Sequence, residues 1–164
     1  MLLTVVDYGV GNLRSIAKSI EKANSDNNLN YSVKVSSDVN DVKKSDKIVL
    51  PGQGSFKACK SGIDNIKGLQ EELNESVLVK KKPIYGICAG MQLFATTGHE
   101  EEETSGLNWI PGEVIKLDFG SSKLKIPHMG WNELKVENNS KVFEDSINKN
   151  HAYFIHSYEF IPED

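Results

Sequence analysis

Apolar and polar residues fall in alternating blocks along the first half of the chain. Leu2-Leu3-Thr4-Val5-Val6 is a nearly continuous apolar run, the pattern of a strand buried on both faces. It ends in a glycine-rich turn, Asp7-Tyr8-Gly9-Val10-Gly11-Asn12. Leu13, Ile16, Ala17, Ile20 and Ala23 follow at helical spacing, with polar and charged residues between them. Asn24 to Asn30 reads as a polar loop. Tyr31-Ser32-Val33-Lys34-Val35 alternates, which predicts a second strand. Lys47-Ile48-Val49-Leu50 predicts a third, stopped by Pro51. Ile66, Leu69, Leu73 and Val77 mark one face of a helix. Ile84 to Ile87, after Pro83, predicts a fourth strand, and Met91 to Ala95 the start of another helix. Strands alternating with helices predict an α/β fold: a three-layer α/β/α arrangement around a mostly parallel sheet.

The pattern changes after Gly98. His99-Glu100-Glu101-Glu102-Glu103 is an acidic run suited to a loop. Glu113 to Leu117, Glu133 to Val136 and Ala152 to Tyr158 read as strands with no helical pattern between them. This predicts an antiparallel extension of the same domain in the C-terminal half. The chain has 164 residues and neither an internal repeat nor a low-complexity linker, so one domain spanning 1–164 is expected.

Charge and cysteine content narrow the possible partners. The net charge is −4, from 19 basic and 23 acidic residues. No basic stripe stands out, which argues against nucleic acid as a partner. Lys80-Lys81-Lys82 suits a solvated helix end. The two cysteines, Cys59 and Cys88, imply no disulfide framework, and a lone reactive thiol fits a reducing compartment. The apolar run at the start is cut off by Asp7, too short for a membrane span. A cytoplasmic protein with no membrane partner is expected.

Where the fourth strand meets its helix, the sequence is Gly86-Ile87-Cys88-Ala89-Gly90. A sharp strand-to-helix turn needs small residues, because the two backbones nearly touch and a positive φ is expected at some of them. Such a turn lifts one side chain out of the sheet edge and holds it over a helix N-terminus. The positive end of the helix favours a thiolate, which is the nucleophilic form. Cys88 is therefore the candidate nucleophile, against the alternative of a buried structural cysteine in a glycine-rich turn. A thiolate that attacks an acyl carbon also needs donors for the oxyanion and a proton shuttle. The Ala89 backbone N–H is one candidate donor. Pro51-Gly52-Gln53-Gly54-Ser55, at the end of a neighbouring strand, offers a second, although on its own it also reads as a turn feeding a helix capped by Ser55. The shuttle is not legible. Of the four histidines, His99, His128, His151 and His156, none sits in a pattern that marks a general base. His156, within a strand, reads as a hydrogen-bonded structural residue. No metal-ligand spacing appears, and no cofactor is expected.

Gly86-Ile87-Cys88-Ala89-Gly90-Met91-Gln92 resembles the nucleophile motif of class I, triad-type glutamine amidotransferases. Together with Asp7 to Leu13, Pro51 to Phe56 and Pro127-His128-Met129-Gly130-Trp131-Asn132, it resembles the glutaminase subunits of imidazole glycerol phosphate synthases in histidine biosynthesis. The resemblance implies a flavodoxin-like fold and hydrolysis of glutamine through a Cys88 thioester. The ammonia would pass to a (β/α)₈ cyclase partner in a heterodimer. It implies that Gly54, Gln92 and Glu100 hold the glutamine, with the backbone of Ser157 and Tyr158 fixing its α-amino and carboxylate groups. Gly52, Gln53 and Gly54 would complete the oxyanion hole with Ala89. Asn12, Met129 and Trp131 would face the cyclase.

The sequence departs from the family pattern at three points. Ala89 stands where the family usually has Leu, and Gln53 where it usually has Val. The family's His and Glu lie in a His-x-Glu-type motif some dozens of residues beyond the position matching Asp164, and the 164 residues contain no His-Pro-Glu segment. The expectation is a glutaminase domain short of its C-terminal segment and, as this fragment, lacking the triad base. Three other readings fit the same residues: a paralogous glutaminase feeding a sugar-modifying synthase, a non-catalytic partner-binding subunit, and a general cysteine hydrolase.

Overall fold

The computed structural model describes residues 1–122, 124–135 and 150–163. They group into two compact units, one of 1–115 with 160–164 and one of 116–159. In the first unit, four strands form a parallel sheet in the order β2-β1-β3-β4: β1 (Leu2–Val6), β2 (Ser32–Ser36), β3 (Lys47–Leu50) and β4 (Ile84–Gly86). Central strands β1 and β3 carry the core. Thr4, Val5 and Val6 are buried in succession, as are Ile48, Val49 and Leu50. Both faces are therefore covered, as an unbroken apolar run requires. The buried Thr4 hydroxyl is satisfied by Ser45 Oγ at 2.6 Å, which removes the cost of an unpaired polar group. Edge strands β2 and β4 are more exposed, and Val35 and Tyr85 face solvent.

The helices follow the apolar spacing with local corrections. Helix α1 (Leu13–Asp26) starts at Asn12, whose side chain accepts from Ser15 N–H at 3.3 Å. It runs through the first three residues of the predicted Asn24–Asn30 loop, where Lys22 and Asp26 pair across one turn at 2.5 Å and polar residues suffice on its solvent side. A short helix α2 (Val39–Lys44) has no counterpart in the sequence reading. It offers only Val39 and Val42 to an apolar stripe, and Asp38 caps it. Helix α3 (Phe56–Asp64) begins at Ser55, whose Oγ accepts from Ala58 N–H at 3.3 Å, so the predicted cap is present. The single helix expected over Ile66 to Val77 is two pieces, α4 (Leu69–Asn74) and a π-helical turn over Glu75–Val79. Gly68 starts it with φ +82, a conformation that glycine allows. Helix α5 (Ala89–Gln92) follows β4.

A second sheet has the order β10-β7-β5-β6, from β5 (Thr97–Gly98), β6 (Thr104–Ser105), β7 (Gly112–Lys116) and β10 (Tyr158–Pro162). β5 and β6 are antiparallel, whereas β5 and β7 are parallel, so the extension is mixed rather than wholly antiparallel. In the second unit, β8 (His128–Glu133) pairs antiparallel with β9 (His151–His156). The strand expected at Glu133 to Val136 thus lies earlier, over the His-Met-Gly-Trp-Asn-Glu segment; Val136 is outside the described residues. Among the described residues, no helix is long and apolar enough to cross a membrane.

Candidate active site

Cys88 stands at the junction of β4 and α5 with φ 54 and ψ −124. A side chain with a Cβ rarely adopts this conformation, which costs on the order of 1–3 kcal/mol. The glycines beside it have a different task. A Cβ on Gly86 would lie 2.5 Å from the Met91 Cα, and one on Gly90 would lie 2.2 Å from the Leu50 carbonyl oxygen. They let strand and helix backbones touch, while the strained angle falls on the cysteine itself. The result is an exposed sulfur on a fixed elbow, in contrast to the buried Cys59. The structural-cysteine alternative therefore does not hold for Cys88.

The helix behind Cys88 spans only four residues. The macrodipole expected from the sequence is accordingly small, since it sums over aligned peptides. What remains is the local set of N–H groups at the first turn. Met91 and Gln92 N–H both bond the Cys88 carbonyl, at 2.9 and 3.2 Å, and Gly90 N–H bonds Ile87 at 3.0 Å. Ala89 N–H is an initial helical donor, a class of group that has no partner within the helix.

The Pro51–Ser55 loop packs directly on this elbow. A Cβ on Gly52 would lie 2.0 Å from the Gly90 nitrogen and 2.6 Å from the Ala89 carbonyl carbon. Only two glycines facing each other permit that approach. Gly54 has φ +103 with open space around its Cα, so there glycine serves backbone conformation rather than clearance. Gln53 and Gly54 are exposed. The two candidate sources of an oxyanion donor, Ala89 and the Gly52-Gln53-Gly54 loop, are thus adjacent.

Gln92 is half-buried one turn along α5 from Cys88, as the spacing predicts. Glu100, on the loop between β5 and β6, reaches the start of α3, where its Oε2 accepts from Phe56 N–H at 2.8 Å. Lys57 pairs with Glu102 at 2.9 Å. The acidic run is therefore anchored on the helix that follows the glycine loop, where carboxylates suit the helix start. His99, on the same run, lies 3.4 Å from Glu113.

The remaining predicted site residues lie in the second unit or serve a local role. Asn12 caps α1. Met129 and Trp131 share one face of the β8–β9 ribbon with Ile155 and Tyr153, at 56, 69, 58 and 51% exposure. His156 is on the other face. It donates through Nδ1 to the Tyr158 carbonyl at 3.0 Å, which leaves Nε2 to accept from His128 Nδ1 at 2.9 Å. Asn132 Nδ2 completes the chain on His128 Nε2 at 2.6 Å. This is the hydrogen-bonded structural histidine expected of the strand. The Ser157 carbonyl accepts from Leu117 N–H at 2.9 Å. Among the described residues, no cluster of His, Cys, Asp and Glu is placed to hold a metal ion.

Sequence reasoning gave no role to Tyr8 or Cys59. The Tyr8 hydroxyl donates to the Pro51 carbonyl oxygen, and Cys59 Sγ lies 3.8 Å from the Gln53 carbonyl oxygen. Burial pushes the Tyr8 ionisation well above its ordinary value and raises that of the Cys59 thiol. The only advance signal was that Tyr8 belongs to the glycine-rich turn at the end of the central strand, where such folds place their sites.

The family model of class-I glutamine amidotransferases matches residues 4–164. The chain is 50% identical over 164 residues to the imidazole glycerol phosphate synthase subunit HisH of Pelagibacter ubique, covering all of this chain and 77% of that one. It is 43% identical over 160 residues to the HisH of Ruegeria pomeroyi, covering 98% and 75%. It is 44% identical over 165 residues to that of Rhodospirillum rubrum, covering 100% and 77%. A crystal structure of a glutamine amidotransferase superposes with a TM-score of 0.68 at 15% identity, covering 96% of this chain and 72% of that one; at that identity it shows the shared fold. The chain belongs to the class-I glutamine amidotransferases, within the HisH group of imidazole glycerol phosphate synthase subunits.

Proposed function

We propose that the chain is the glutaminase subunit of an imidazole glycerol phosphate synthase, with Cys88 as its nucleophile. The thiolate sulfur attacks the side-chain amide carbon of glutamine, and the carbonyl electron pair moves onto oxygen. Ala89 N–H and an N–H of the Gly52-Gln53-Gly54 loop receive that charge. The proton given up by the Cys88 thiol goes to the amide nitrogen, and the tetrahedral intermediate collapses with loss of ammonia to a γ-glutamyl thioester on Cys88; water then hydrolyses the thioester to glutamate and restores the thiol. Gln92 and Gly54 hold the glutamine close to the sulfur, and Glu100 holds it from the loop anchored on α3. Proton transfer is assigned to none of the described histidines.

The ammonia passes to a cyclase subunit, which uses it to build imidazole glycerol phosphate. The exposed face carrying Met129 and Trp131 supports this reading, since large apolar side chains on a ribbon face suit an interface. We place the reaction in the cytoplasm, where reducing conditions keep Cys88 as a thiol.

One observation carries the proposal: an exposed cysteine on a strained elbow, with a second glycine loop packed against the residue that follows it. The test is to treat the chain, bound to its cyclase, with a glutamine-derived chloroketone and to map the adduct by mass spectrometry. The adduct is expected on Cys88, with protection by glutamine. A Cys88 that reacts with iodoacetamide but ignores the glutamine-derived reagent would indicate a general cysteine hydrolase instead.

A further inference from the structure

Two buried groups that the chemistry above leaves unused converge on the Pro51–Gly54 loop. The Tyr8 hydroxyl donates to the Pro51 carbonyl, and the Cys59 thiol donates to the Gln53 carbonyl, 3.8 Å from sulfur. Each group is itself held in place. Gly62 of α3 lies so close to Tyr8 that a Cβ there would stand 2.8 Å from the ring Cδ2 and 2.5 Å from the Tyr8 carbonyl oxygen. Gly11, in the same turn as Tyr8, abuts Pro51, where a Cβ would lie 3.1 Å from the proline Cβ. Cys59 is buried on the inner side of α3.

A trans peptide is planar, so fixing the direction of its C=O fixes the opposite direction of the next N–H. Tyr8 thus sets the Pro51–Gly52 plane, and Cys59 sets the Gln53–Gly54 plane. The peptide between them is bracketed on both sides. We propose that Tyr8 and Cys59 are positioning residues, which orient this loop so that the N–H of the bracketed peptide, that of Gln53, meets the oxyanion formed at Cys88. The proposal rests on the reading of the loop as half of the oxyanion hole. The two clamps are unequal: a phenol is a full hydrogen-bond donor and a thiol a weak one, so Tyr8 carries most of the effect. Both groups are protonated at neutral pH, and therefore able to donate, and burial raises both ionisations further.

Glutamate γ-semialdehyde provides the test. The Cys88 sulfur adds to its aldehyde carbon, the carbonyl electron pair moves to oxygen, and the adduct presents that oxygen to the hole. Glutamine places an uncharged amide oxygen there, and its affinity is measured in a Cys88→Ala background. Both affinities are measured for the chain bound to its cyclase. Tyr8→Phe is expected to weaken the aldehyde ~10-fold, a fraction of what losing an oxyanion donor outright costs, and glutamine less than ~2-fold. Cys59→Ala should act in the same direction but more weakly, and Cys59→Ser, which keeps a donor, should restore the aldehyde. Retained glutamine binding shows that a variant is folded; if Tyr8→Phe does not fold, the Cys59 pair decides. Equal weakening of both ligands, or no change in either, overturns the proposal. Gln53→Pro separates the two layers of the argument. If it leaves aldehyde affinity intact, the loop is no part of the hole and both readings fall. If it weakens the aldehyde and Tyr8→Phe does not, only the positioning role falls.

Discussion

Cys88 joins exposure to backbone strain, and each has a measurable consequence. Its φ of 54 suits glycine better than any residue with a Cβ. Cys88→Gly is therefore expected to be more stable than Cys88→Ala by about 1 kcal/mol in urea unfolding, against the usual order of the two residues. Equal or reversed stabilities would remove the strain argument. The second cysteine offers an internal contrast. Burial raises the Cys59 thiol above its ordinary 9.0, and only the thiolate reacts. Iodoacetamide at pH 8 should label Cys88 in the folded protein and Cys59 only after denaturation, as read by peptide mass spectrometry. Tyr8 makes a prediction with pH. Desolvation lifts its ionisation far above the ordinary 10.0, so the folded state holds this proton after the unfolded chain has released it. Above about pH 10 the unfolded state binds fewer protons, and stability falls as pH rises. Tyr8→Phe removes that contribution, so its unfolding free energy should decline less steeply than the parent's between about pH 10 and pH 11.

At the level of elements, the parallel strands were legible because β1 and β3 are buried on both faces and leave unbroken apolar runs. The elbow was legible because a touching strand and helix exclude every Cβ, which leaves a glycine signature. Of the two reasons expected for those glycines, clearance holds at Gly86 and Gly90, whereas the positive φ falls on Cys88. Helix α2 left almost no apolar trace, because a six-residue helix held by the Asp38 cap needs only Val42 fully buried. β5 and β6, with two residues each, are too short for alternation to register. Glu100 was placed by resemblance alone, and its bond to Phe56 N–H depends on loop closure across 44 positions, which local pattern cannot encode. Two glycines at this junction separate clearance from conformation. Gly90→Ala forces a Cβ into backbone atoms and should destabilise by roughly 1–3 kcal/mol or more through overpacking. Gly54→Ala meets no atom within 4 Å but keeps φ +103, so its cost, about 1–2 kcal/mol, is backbone strain alone. Denaturant unfolding of the two variants checks the order.

At the scale of the whole molecule, the proposed cyclase-facing ribbon carries its own prediction. Trp131 is 69% exposed on the β8–β9 ribbon, so its removal takes little from the fold. Trp131→Ala should leave the thermal midpoint within a degree or so of the parent, since exposed substitutions change stability by under about 0.5 kcal/mol. It should weaken cyclase binding by roughly 2 kcal/mol in calorimetry, the scale of a buried aromatic anchor. A large loss of stability with unchanged binding would make Trp131 a structural residue. In the proposed function, the sulfur at position 88 is the atom that attacks the amide carbon. The direct measurement is glutamine-dependent ammonia release by the full-length protein bound to its cyclase, comparing the parent with Cys88→Ala. The account predicts a fall of at least ~10³-fold with cyclase binding intact, whereas release at the parent's rate would contradict it.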